Sequence, residues 1–250
     1  MQFRNFHRAL IIFAIIGVSD LSAWAVNTPV VVPNGSASTE GNDDNAFPFD
    51  IGAGSLSSER YQQAYNASSF AAITTPELIT QLIFRPDSLA GGAFDSTISN
   101  IQIDLSTTTK SANSLDATFA NNVGLDDTVV FNGSLHLSST FTGPVNGPKD
   151  FDIVINLTTP FLYDPGVGNL LLDVRNFSGG TTTSFDAADL TEVGRVYTTS
   201  VPAGDVTSSS GTVENNNGLV TKFTFSSIVP EPGVSVLVLA GLLGGRRRAR

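Results

Sequence analysis

The amino-acid sequence predicts an all-β, antiparallel β-sandwich of jelly-roll-like connectivity, with few or no long helices apart from its two ends. Three observations predict it. Short apolar or alternating stretches recur about every ten residues, separated by Gly, Pro, Asn and Ser turns. The chain is rich in Ser, Thr, Asn, Gly and Phe, and only 14% of it is charged, a balance that suits strands and turns. No long 3.6-residue periodicity intervenes between the stretches, so parallel βαβ units are not expected. A strand number of about ten to twelve points to the jelly roll, with an up-and-down barrel as the alternative, and the lack of a repeat of about 20–50 residues argues against a propeller or solenoid.

In chain order, Val30–Val32 is the first candidate strand. Residues 33–46 read as a flexible loop, so 26–46 is expected as a flexible N-terminal segment ahead of a domain at 47–228. Phe47–Ile51, interrupted by Pro48, suits an edge strand. Arg60–Tyr65 fits a strand or a short helix. In the next strand Leu78, Leu82 and Phe84 are expected on one face, with Ile79 and Ile83 on the other. Ile98–Leu105 forms a strand with an irregularity near Asn100. Ser114–Phe119 suggests one helical turn capped by Ser114. Asn132-Gly133, between Val129–Phe131 and Leu135–Phe141, predicts a hairpin turn. Phe151, Ile153 and Ile155 alternate with polar or smaller neighbours, and Leu170–Val174, Val193–Thr198 and Leu219–Phe225 complete the set. Residues 200–217 read as a long loop or weak hairpin.

The ends carry a different message. Arg4 and Arg8 precede an apolar run from Ala9 to Val18, and Ala23-Trp24-Ala25 follows. A basic start, a short apolar middle and a small-x-small site mark residues 1–25 as a secretory signal peptide, with Ala23 and Ala25 fixing the cleavage point for signal peptidase. At the other end, Val229-Pro230-Glu231-Pro232 precedes an apolar stretch from Gly233 to Gly245, and Arg246, Arg247, Arg248 and Arg250 close the chain. The prolines hold an extended, cleavable segment, the apolar stretch enters the membrane, and the arginines stay on its cytoplasmic side. The stretch has about thirteen residues against the ~20 of an untilted span. Either flanking residues help to fill the bilayer or the bilayer thins around it.

This order of motif, apolar run and arginine cluster resembles the PEP-CTERM sorting signal. The resemblance covers residues 229–250. It implies an exported precursor, tethered transiently at the inner membrane and cleaved near Pro-Glu-Pro by an exosortase-type enzyme, then released to the cell surface or extracellular matrix. Three internal stretches, Leu105–Thr108, Phe119–Gly124 and Pro160–Asp173, resemble a β-domain that accompanies such tails. That second likeness implies a surface domain and carries no activity with it.

Without its two ends the chain keeps seven basic and twenty-one acidic residues. So acidic a surface repels nucleic acid and attracts cations or basic partners. The chain has no cysteine, which excludes disulfides and thiol chemistry.

Chemistry-bearing patterns are few. His136 is the single histidine left after leader removal, it sits on a strand facing away from Leu135 and Leu137, and no G-x-S-x-G elbow accompanies it. Asp126-Asp127, Asp150 and Asp152, Asp164, and Asp186 and Asp189 offer carboxylates, none in a glycosidase-specific pattern. Asp43, Asp44, Asp126 and Asp127 lie in oxygen-rich loops suited to a structural calcium, without the EF-hand spacing. Tyr61, Tyr65, Tyr163 and Tyr197 are the tyrosines available to stack on sugars. The resulting expectation is a non-enzymatic protein, structural or adhesive in an exopolysaccharide-associated layer. A carbohydrate-binding module and a secreted hydrolase are the alternatives.

Overall fold

The structure, a computed structural model, describes residues 27–52, 56–145, 147–198 and 206–228. The segments expected to be a signal peptide and a sorting tail, with Ala23, Ala25, Val229–Pro232 and the terminal arginines, lie outside the described residues.

The strands are β1 (Asn27–Val32), β2 (Asp43–Asn45), β3 (Glu59–Tyr65), β4 (Glu77–Phe84), β5 (Phe94–Thr108), β6 (Thr128–Ser139), β7 (Ile153–Tyr163), β8 (Asn169–Asn176), β9 (Phe185–Asp189), β10 (Val193–Tyr197), β11 (Thr212–Glu214), β12 (Asn217–Leu219) and β13 (Thr221–Ser226). One sheet has the order β1-β13-β4-β7, a second β11-β10-β3-β8-β5-β6, and a third β12-β9-β2. All named pairings are antiparallel.

Setting aside the short additions, two four-stranded sets remain, β1-β13-β4-β7 and β3-β8-β5-β6. Numbered within that set of eight, their orders are 1-8-3-6 and 2-7-4-5, the double Greek key of a jelly roll. The expected connectivity is therefore the observed one. The additions come from two connections, 33–58 and 177–220, which supply β2 and β9–β12. Helical structure among the described residues is limited to three short 3-10 turns.

The core lies between the two large sheets. Phe49, Phe84 and Phe185 meet with ring centroids 5.4–5.9 Å apart, and Phe70 packs edge-on against Tyr163 and Phe223. Such aromatic pairs add about 0.5–1.5 kcal/mol each beyond area burial. Every arginine of the domain is paired with a carboxylate: Arg60 with Asp173, Arg85 with Asp186, Arg175 with Asp104 and Arg195 with Glu214.

Several local expectations are corrected. The described part of the expected flexible N-terminal segment, residues 27–46, is ordered into the domain: Val30 and Val32 are buried in the core, β1 pairs with β13, and β2 pairs with β9. Phe47–Ile51 is a turn rather than an edge strand, because the Asn45 amide bonds both the N–H and the carbonyl of Phe47 and Asp50 N–H closes on Ala46 O. In β4, Leu82 and Phe84 face the core opposite Ile83 as expected, while Leu78 and Ile79 exchange faces. A bulge at Thr80 places Ile79 with Leu82 and Phe84 in the core cluster, because one extra residue inverts the alternation beyond it.

Asn132-Gly133 is not a hairpin turn. It lies inside the twelve-residue β6, opposite Gln102 and Ile101, where β5 carries a bulge between Ile98 and Ile101. Gly133 takes φ 139° there, which a side chain would resist. The irregularity near Asn100 is thus observed, and it explains the glycine. Ser114–Phe119 is not helical; the turn falls at Phe119–Asn121, and Asp116 rather than Ser114 bonds the Thr118 N–H. In 200–217 the described part joins two sheets, since β11 pairs with β10 and β12 with β9. The last expected strand breaks at Val220, whose N–H bonds Asp186 O.

Candidate functional site

The most concentrated polar assembly is a corner where the additions meet the jelly roll. Beyond β4, Pro86 bridges Phe185, and Asp186 N–H bonds Arg85 O. This short ladder sets Arg85 beside Asp186. Arg85 Nε and Nη2 donate to Asp186 Oδ2 at 2.6 and 2.5 Å, Nη2 also reaches Thr39 O, and the guanidinium lies 4.6 Å from the Phe151 ring centroid. Asp186 Oδ1 accepts from Gly41 N–H. A Cβ at Gly41 would lie 1.9 Å from Ala187 O, so only glycine brings that N–H to the carboxylate.

Two further acids join from separate loops. Glu40 Oε1 accepts from Ser88 N–H, while its Oε2 is buried without a partner. Asp87 Oδ1 accepts from Leu89 and Ala90 N–H. One oxygen each of Glu40, Asp87 and Asp186 lies within 4.8 Å of the others. Burial pushes the Asp186 carboxyl up to about 6; Arg85 pulls it down and Glu40 adds to the rise. Oxygen donors at this spacing suit a hard cation, but Arg85 already neutralises the most buried of the three acids.

Beside them a cavity of about 330 Å³ is lined by Glu40, Asp43, Asp44 and Asp87 among others. Two of the four expected calcium ligands, Asp43 and Asp44, therefore border this corner, and Asp43 is engaged by the Asn217 side-chain amide. Residues 40, 87 and 186 sit on three connections far apart in the chain, and no spacing pattern in the sequence marks them.

Asp126 and Asp127 lie at the other end of the sandwich. Asp126 Oδ1 accepts from Thr107 N–H at 2.7 Å, next to a groove of about 450 Å³ lined by Thr107–Thr109, Asn121, Val123–Asp126 and Val167. The three internal stretches singled out in the sequence converge here. Gly124 N–H bonds Ser106 Oγ, Gly168 packs on Thr107 and Thr108, and Tyr163 OH bonds Gly168 O. Asp164, as expected, closes the turn, accepting from Gly166 N–H through its side chain and from Val167 N–H through its carbonyl.

The outer face of β3, β8 and β5 carries a third polar array. Arg60 grips Asp173 through Nε and Nη2, Gln62 donates to the same carboxylate, and Arg175 and Gln102 donate to Asp104. Burial lifts the Asp104 carboxyl to about 6 against the pull of Gln102 and Arg175. Burial also raises Asp127, helped by the Asp173 charge.

On the inner face, both Glu59 oxygens are fully buried without a hydrogen-bond partner. Burial holds this carboxyl well above its usual range, and Arg195 only partly offsets it. An acid whose folded pKa is raised contributes stability below its unfolded pKa and loses it as pH rises through the folded one. Glu59→Gln is therefore expected to melt above the native domain at neutral pH, with a gap that closes on acidification. Thermal melts across pH check this; an equal gap at acid pH would assign the effect to packing.

The remaining predicted residues are dispersed. His136 is exposed and meets the exposed Asp95 at 3.0 Å. Asp152 Oδ2 bonds Ser139 and Thr140. The four tyrosines are buried, three of them fully, so none is offered to a sugar ring. Known protein families, curated proteins and solved structures give no match to the chain.

Proposed function

We propose that this is an exported β-domain carried to the cell surface or extracellular matrix by its C-terminal sorting tail, where it serves as a structural or adhesive component of a polysaccharide-rich layer. One observation carries the reading. Val229-Pro230-Glu231-Pro232, the apolar run and Arg246–Arg248 with Arg250 follow one another in that order, after a leader that ends at Ala23-Trp24-Ala25. Its partners are signal peptidase, an exosortase-type enzyme and, transiently, the inner membrane.

Mass spectrometry of the exported protein tests this. Ends near Val26 and within Pro230–Pro232 are expected. An exported form that still carries Arg250 would overturn the sorting reading.

A further inference from the structure

The first and last strands of the domain are neighbours, and their outer ends coincide: Asn27 is the register partner of Ser226. Ser226 in turn pairs with Leu78, and Leu78 with Leu162. The Asp164–Val167 turn follows directly. The chain therefore enters and leaves the sandwich at one point on one end. The acidic corner of Arg85, Asp87 and Asp186 lies beyond the opposite end of β4.

Chain length tightens this. Ala25 stands two residues before Asn27. Pro230 stands four after Ser226, and four residues reach at most roughly 14 Å when extended. A peptidase that cuts there must approach to within that distance of Ser226. The same end exposes Leu125, Leu162, Val167 and Ile228, and Leu125 and Val167 share one groove. The far end exposes Leu89 and Val145 as well, so the short tether, and not apolar surface, singles out this end.

We propose that this end of the sandwich, bounded by Asn27, Ser226, Leu162 and the Asp164–Val167 turn, is the surface that faces the membrane-bound enzyme as it cuts the tail and must leave it room. The opposite end stays clear of it. This rests on the sorting reading above.

The test places a small, independently folding domain in either of two exposed loops of the full chain, expressed in its own cells: at Val167 on the proposed surface, or at Val145 in the loop between β6 and β7, at the far end. The fraction of exported chain that has lost its tail is measured for each. Insertion at Val167 is expected to lower that fraction by roughly ten-fold, because the inserted domain fills the space the enzyme needs within reach of Pro230. Insertion at Val145 is expected to leave it unchanged. A flexible Gly-Ser spacer of about 20 residues between Ile228 and Val229, spanning roughly 25 Å, is expected to restore cleavage in the Val167 variant, which misfolding would not allow. Equal loss at both positions, equal cleavage at both, or no rescue by the spacer overturns the proposal. Tail retention in the unmodified chain instead overturns the sorting reading.

Discussion

Arg85→Met is expected to cost about 3–5 kcal/mol, the usual penalty for leaving one member of a buried ion pair alone. In a domain of roughly 200 residues that lowers the melting temperature by roughly 6–20 °C. Methionine preserves much of the apolar stem, so the loss reports the charge rather than a cavity. Three carboxylates then share the corner without a counter-charge, and Asp186, fully buried, has the most to lose. The pH dependence identifies the cause. The Asp186 carboxyl stands at about 6 against an ordinary 3.8, so its contribution to stability is present below the ordinary value and lost as pH rises through 6. Without Arg85 it rises further. The deficit of the variant is therefore largest at neutral pH and narrows on acidification. Adding Asp186→Asn to Arg85→Met is expected to recover part of the loss, because the orphaned charge goes with it. A melting temperature within two degrees of the native domain at pH 7 would show that the pair does not hold this corner.

Gly124→Ala is expected to be nearly as damaging. A Cβ at this position would lie 1.9 Å from Thr107 O, and the obstacle is backbone on the longest strand of the fold. Relief requires β5 and the 119–126 segment to part, which weakens the Gly124–Ser106 and Asp126–Thr107 bonds as well. Forced overpacking of this kind costs about 3 kcal/mol, or roughly 6–12 °C. Gly35→Ala is the control, with no atom within 4 Å of its new carbon and little change expected. Indistinguishable melts for the two would mean that the converging segments yield easily, contrary to their role as a fixed joint.

What the sequence reveals and what it hides divide along one line. Alternation at Phe151, Ile153 and Ile155, the apolar run at Leu170–Val174 and the Asp164-Pro165-Gly166 turn are local signals, and they were readable because neighbouring residues determine them. The Thr80 bulge and the place of Gly133 were not, since each depends on the opposing strand: Gly133 reads as a turn until the bulge in β5 is set across from it. The acidic corner hides for the same reason on a larger scale. Glu40, Asp87 and Asp186 become neighbours only after two long connections fold back on the jelly roll. Of the expected calcium ligands, Asp43 and Asp44 reach that corner and Asp126 and Asp127 do not, because composition marks oxygen-rich loops without saying which of them meet.

The pairing of β1 with β13 also sets a timetable. β1 is hydrogen-bonded as a strand to β13 alone, so the first strand of the domain to be made waits for the last. Until then Val30, Val31 and Val32 form an unpaired apolar edge, the kind of segment that recruits other chains. Pro29 blunts it by removing one donor. Contacts this distant in sequence make folding slow. A pause after β13 has emerged would give the first and last strands time to find each other.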